Sequence, residues 1–153
     1  MYDIIIVWGW ASGLFCGLNL PKNKKKLILE KTDKLWTKVL LSGWGRCNFS
    51  NANINPINDY FWQNKKALPS LFHRFGADEM KNFLQENWIE IQKEDNWRLI
   101  LKSGNAKELN DLLIKKTTEN DTEIKLNQEI IKVSKDKDLF IIKTNEAIFE
   151  TKN

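Results

Sequence analysis

The sequence predicts an α/β fold that opens on a parallel βαβ unit, continues through inserted helices and ends in a β-meander. Three observations carry that prediction. Residues 2–7 (YDIIIV) close on a continuous β-branched run, the pattern of a strand buried on both faces. Residues 11–20 (ASGLFCGLNL) read as a helix stopped by Pro21. Residues 27–30 (LILE) form a second apolar strand ending in an acid, and strand, turn, helix and strand within about 30 residues make a βαβ unit.

The remaining elements follow in order. Residues 22–26 (KNKKK) supply a solvated bend. Residues 31–64 read as a long loop, polar and Asn-rich, containing LLSGWGRCNFSN; a loop of that length ordinarily carries function. Two amphipathic helices over 67–75 and 77–87 break at Gly76, with Phe72, Phe75, Met80, Phe83 and Leu84 as the expected buried face. Residues 89–92 and 98–101 pair as a hairpin, and 105–117 forms a helix with Asn105 and Glu108 as a capping box. Residues 123–151 alternate apolar and polar, with breaks at 135–138 and near Asn145, which predicts a three-stranded meander. Only two parallel strands are legible, and such a core closes poorly, so the stretch is expected to be truncated at its C-terminus.

Composition narrows the function classes. With 153 residues and 42% apolar content the chain can bury one core. The formal charge is +4, from 24 basic and 20 acidic residues, and no basic stripe interleaves with stacking aromatics, so no nucleic-acid partner is expected. Cys16 and Cys47 form no CxxC pair; that argues against a disulfide framework and a zinc site, and suits a reducing cytoplasm. The apolar run from Ile4 to Leu18 follows Asp3, has no basic flank before it and is too short to span a bilayer. Neither a signal peptide nor stable membrane association is expected.

Tryptophan is out of proportion: seven residues, as many as glycine, in a chain rich in Lys, Asn and Ile. Three of them occupy positions where local geometry asks for glycine. Trp88 follows a helix end and precedes a strand, where a left-handed residue is usual and a Cβ is costly. Trp97 follows Asn96 between two strands, and Asn-Gly is the strongest two-residue hairpin signal because both residues take positive φ. Trp8 stands where the first strand must turn sharply into the helix. With glycine at 8 and 10, WGWASG over 8–13 becomes GGGASG, a full G-x-G-x-x-G in which successive glycines make the turn, admit a pyrophosphate and allow close helix–strand packing. The same replacement at Trp44 turns SGWGRCN into SGGGRCN. In some bacteria the codon UGA specifies glycine, and reading it as tryptophan produces this pattern; the alternative is a degenerate or mutated chain.

Read in that way, the chain resembles the bacterial NAD(P)/FAD-dependent oxidoreductases of the aminoacetone oxidase and BaiN type. The resemblance runs nearly end to end, through YDIIIVWGWASGL, LILEK, TKVLLSGWGRCNFSN, FHRFGADEMKNFLQEN and EDNWRLILKSGNAKEL, with the SG-x-GRCN loop its most specific part. One departure is Ile100-Leu101, where the family carries Phe-Pro. The resemblance implies the N-terminal part of a Rossmann-like FAD/NAD(P)-binding domain over 1–153, with a substrate domain absent. It implies FAD as cofactor, NAD(P)H as a possible electron donor, and hydride transfer to or from a small organic molecule. By position, Trp8, Gly9, Trp10, Ala11, Ser12 and Gly13 form the phosphate turn, the helix presenting its free N–H groups and positive dipole end to the pyrophosphate. Glu30, with Lys31 beside it, would meet the adenosine ribose. Lys38, Ser42, Gly43, Trp44, Gly45, Arg46, Cys47 and Asn48 would line the cofactor, and Ile130 would meet adenine through its main chain. No catalytic residue and no metal site is assigned.

Plainer readings stand beside these. Glu30 at a strand end can be a solvated surface acid. Cys47, with only Arg46 to activate it and no resolving cysteine, is expected to pack or touch cofactor rather than react. His73, the only histidine, is expected to be a helix-surface or packing residue rather than a base. The rival functional reading makes 4–18 an interfacial anchor for a membrane or partner, with tryptophans at headgroup depth. A third outcome is a flavoprotein fragment that folds yet binds no nucleotide.

Overall fold

The computed structural model describes residues 1–35, 40, 45–61 and 65–152. In chain order the elements are β1 (Ile4–Val7), α1 (Ala11–Asn19), β2 (Lys26–Leu29), β3 (Asn48–Asn51), a 3-10 turn (Lys65–Ala67), α2 (Leu68–Arg74), α3 (Ala77–Glu86), β4 (Ile91–Lys93), β5 (Arg98–Leu101), α4 (Ala106–Glu119), β6 (Thr122–Lys125), β7 (Ile130–Asp136), β8 (Leu139–Thr144) and β9 (Ile148–Thr151). They form two compact units: Met1–Val39 with Asn110–Asn153, and Leu40–Leu109.

The first unit holds the parallel sheet, in the order β1-β2-β6. β2 is central, pairing Ile4–Val7 on one side and Thr122–Lys125 on the other, and all four of its residues are buried. That burial explains why residues 27–29 are an unbroken apolar run rather than an alternation. The meander β7-β8-β9 is antiparallel, and Ile142 and Phe149 from it cluster with Ile5, Leu27 and Leu29 of the parallel sheet. Two sequence expectations are corrected here. Residues 122–125 are not the start of the meander but a third parallel strand, so the parallel core is larger than the sequence suggested. Lys26 is not part of a solvated bend: it opens β2, is 1% exposed, and its Nζ donates to the Asn120 carbonyl.

α1 packs on β1 and β2, and its C-terminal carbonyls are satisfied from far along the chain. Asn120 Nδ2 donates to the Gly17 and Leu20 carbonyls at 2.9 and 2.8 Å, Thr117 Oγ1 to Leu14 at 2.9 Å, and Thr122 Oγ1 to Gly17 at 3.2 Å. These bonds account for three buried polar side chains that would otherwise be costly.

The second unit contains the antiparallel sheet β3-β5-β4 with α2 and α3. β3 corrects the reading of 31–64 as loop throughout: Asn48–Asn51 pairs with β5, with a register shift between Asn48 and Ser50. The β4–β5 hairpin forms as expected, and Ile100 and Leu101, at the family departure, are both buried. The helical face is partly corrected. Leu84 is buried, Phe72, Met80 and Phe83 are half-buried, and Phe75 is exposed because it lies beyond the end of α2 in extended backbone. The expected box at α4 is also incomplete: Asn105 Oδ1 caps the Lys107 amide at 3.1 Å, while Glu108 bonds to the Ser103 hydroxyl instead of reaching back to Asn105. A carboxylate does reach back at α3, where Glu79 accepts the Gly76 N–H at 2.7 Å. Glu79 is thereby held below the ordinary carboxylate pKa, chiefly by that backbone bond.

Candidate nucleotide-binding site

The carboxyl end of a parallel sheet, where β1 hands over to a helix, is where α/β folds bind nucleotides. Here the chain leaves β1 through Trp8, whose N–H donates to the Leu29 carbonyl at 2.8 Å and whose φ is +78°. It enters α1 through Trp10, which caps the helix with no side-chain bond, and no acidic residue stands in the first turn. Gly13 is buried beneath the turn: a Cβ there would lie 2.1 Å from the Trp8 carbonyl oxygen, a distance no real contact reaches. Only glycine lets helix and strand approach so closely, the role expected of the third fingerprint position. Ala11 is half-buried and Ser12 exposed.

Glu30 stands one residue beyond β2 and is 3% exposed, so the surface-acid reading is overturned. Its Oε2 accepts the Gly9 backbone N–H at 2.9 Å, and its Oε1 accepts the Thr32 amide at 2.9 Å and lies equally close to the Thr32 hydroxyl. A carboxylate has about four lone-pair sites, so Glu30 keeps acceptor capacity after these contacts. The acid thus ties the glycine turn to the end of the second strand. Thr32 was missed by sequence reasoning; the signal available was a hydroxyl two residues past an acid, a common local bonding pattern.

Beside this turn lies a cleft of about 420 Å³ lined by Val7, Trp8, Lys31, Glu129, Ile130 and Val133. Lys31 and Glu129 form an ion pair of 2.6 Å, both half-exposed. Ile130 begins β7, as expected of the first meander strand, and packs partly on the core. The structure therefore brings Trp8, Lys31 and Ile130 together at one cleft.

The SG-x-GRCN loop belongs to the second unit. Lys38, Ser42, Gly43 and Trp44 fall outside the described residues. Gly45 has φ +86° and Cys47 φ +57°, so the loop turns twice through left-handed backbone. Cys47 is 2% exposed, in keeping with the packing role and against that of an accessible thiol. Arg46 is held by Glu94, its Nη1 lying 2.9 Å from Oε1, while Arg98 Nη2 forms an ion pair with the other oxygen at 3.0 Å without hydrogen-bond geometry. Glu94 was not anticipated, because nothing local pairs residues 48 positions apart. Asn48 opens β3, exposed. His73 is exposed on α2, as expected.

These features fit a dinucleotide at Glu30, Gly9 and Gly13 and fail to fit it at Trp8 and Trp10. The two indoles stack on each other, ring centroids 5.3 Å apart and 16° from parallel, and remain 52% and 43% exposed at the turn. Backbone approach to a phosphate requires the absence of such side chains.

Parallel sheet, sharp turn and following helix define a Rossmann-type domain. The profile of the HI0933-like protein Rossmann domain matches residues 2–153, and the chain belongs to that family. It is 27% identical over 145 residues to the ribosomal RNA dihydrouridine synthase of Escherichia coli, which covers 94% of this chain and 36% of that protein. The protein of the same name from Haemophilus influenzae is 27% identical over 154 residues, covering 97% of this chain and 38% of the relative. The chain thus spans little more than a third of these relatives. Among solved structures, glycine oxidase from Geobacillus kaustophilus superposes with a TM-score of 0.53 at 16% identity, covering 99% of this chain and 53% of the other. That likeness is one of fold.

Proposed function

We propose that this chain is the N-terminal, FAD-binding portion of an oxidoreductase. The observation that carries the reading is Glu30: a buried acid at the end of the second parallel strand, bonded to the glycine turn, beside an open cleft. A bound flavin would supply the redox chemistry; the protein's part is binding, orientation and electrostatics. Glu30 would accept ribose hydroxyls, and Lys31 and Ile130 would border the adenine. Arg46, braced by Glu94, would offer charge to anionic oxygen, with NAD(P)H as the external reductant.

The relatives' names favour a particular substrate. Dihydrouridine differs from uridine by two hydrogens, so making it is a reduction and needs an electron carrier. We therefore favour a uracil base in ribosomal RNA over a free small molecule. The mild charge of this stretch bears only on the part of the protein it represents, not on the larger remainder of the relatives. The interfacial-anchor reading is disfavoured, since 4–18 divides into a strand and a nine-residue helix, and no helix among the described residues is long and apolar enough to cross a membrane.

The test is purification of the full-length protein from its own host, with flavin identified by absorbance and by chromatography after denaturation. Ribosomal RNA from a strain lacking the gene is mapped for dihydrouridine in parallel. FAD in the protein and loss of one modified position are expected. A flavin-free protein sinks the cofactor reading, and unchanged RNA sinks the substrate.

A further inference from the structure

We infer that the working protein carries glycine, not tryptophan, at positions 8, 10, 88 and 97, the four tryptophans among the described residues. Three of these four have left-handed backbone: φ is +78° at Trp8, +63° at Trp88 and +66° at Trp97. That region is rare for any residue with a Cβ and an outlier for a bulky one. The surrounding hydrogen bonds demand it in each case. After α3, Trp88 N–H donates to the Gln85 carbonyl and Ile89 N–H to Leu84, both at 3.0 Å; this pattern closes a helix through a left-handed residue, usually glycine. In the β4–β5 turn, Trp97 N–H donates to the Glu94 carbonyl and Glu94 N–H to Arg98, both at 2.9 Å, leaving Trp97 as the left-handed residue that closes the loop. At Trp8, whose N–H donates to the Leu29 carbonyl at 2.8 Å, the chain turns over the buried, closely packed Gly13.

The side chains give little in return. Trp88 is 92% exposed and Trp97 47%, although an indole contributes to stability mainly by burial. Trp10 has ordinary extended backbone, φ −76°, and is included on other grounds: it holds the second fingerprint position and stacks on Trp8 across the turn. Independent mutations would not select left-handed positions at a phosphate turn, a helix cap and a hairpin alike. A single reassigned codon does, because it replaces a subset of the glycines, those written with that codon, and glycine is used where φ is positive. With glycine restored, residues 8–13 read GGGASG, and the misfit to a dinucleotide disappears.

The residue assignment does not depend on the flavin reading, and its test keeps the two apart. Protein isolated from the native host is digested, the peptides containing positions 8, 10, 88 and 97 are sequenced by mass spectrometry, and the codons are read. Glycine masses with UGA codons are expected; tryptophan masses or UGG codons overturn the inference. Glycine in a flavin-free protein would uphold it while sinking the cofactor reading. Independently, Trp88→Gly and Trp97→Gly in the full-length recombinant protein should each raise the thermal midpoint by a few degrees. A fall at both positions would mean that the indoles support the fold, and would count against the inference.

Discussion

At the residue scale, the turn after β1 depends on two groups, the Gly13 α-carbon and the Glu30 carboxylate. Gly13→Ala places a methyl 2.1 Å from a backbone oxygen, which cannot swing aside as a side chain would. We expect a loss of about 1–3 kcal/mol or more, typical of overpacking, seen as a lower denaturation midpoint. An unchanged midpoint would show that α1 can shift outward at little cost. Glycine roles of this kind were legible in the sequence because they are local: spacing placed Trp8, Trp88 and Trp97 at a turn, a cap and a hairpin, and all three have positive φ. The hairpin was read incompletely. Asn96 is not among the positive-φ residues, and the loop closes through a four-residue turn, 94–97, whose last residue is left-handed.

At the element scale, α3 is anchored at its start by Glu79. The folded state lowers the Glu79 pKa, so the ionised form is favoured by folding. Its contribution is fully present above the unfolded pKa and is lost as pH falls through the folded value. Glu79→Gln should therefore lower stability at neutral pH and reduce the difference from the parent as pH drops through the carboxylate range, measured by denaturant titration at a series of pH values. A constant difference across that range would assign the effect to packing rather than charge. The sequence pointed to a box at Asn105 and Glu108 instead, since spacing alone does not reveal that Ser103 competes for the Glu108 carboxylate. β3 was illegible for a related reason. NFSN has no alternation and few strand-forming residues, and it becomes a strand because β5 offers it an edge.

At the scale of the whole molecule, β2 is the centre of the first unit, buried along its length and bonded on both edges. Its amides should be the slowest to exchange with solvent in that unit, followed by those of β8, the middle strand of the meander. Hydrogen exchange read by mass spectrometry checks this; faster exchange in 26–29 than in 139–144 would place the stable core in the meander. The sequence by itself determined the βαβ opening, the acid at its end and the positions that call for glycine, because apolar runs, stop signals and turn geometry act within a few residues. Tertiary structure alone decided that 122–125 joins the parallel sheet, that Lys26 and Glu30 are buried, and that Asn120, Thr117 and Thr122 close the end of α1. Apart from Glu30, whose carboxylate meets Gly9 and Thr32, those outcomes depend on partners about a hundred positions away, and a buried polar group is recognised only when its partner is known.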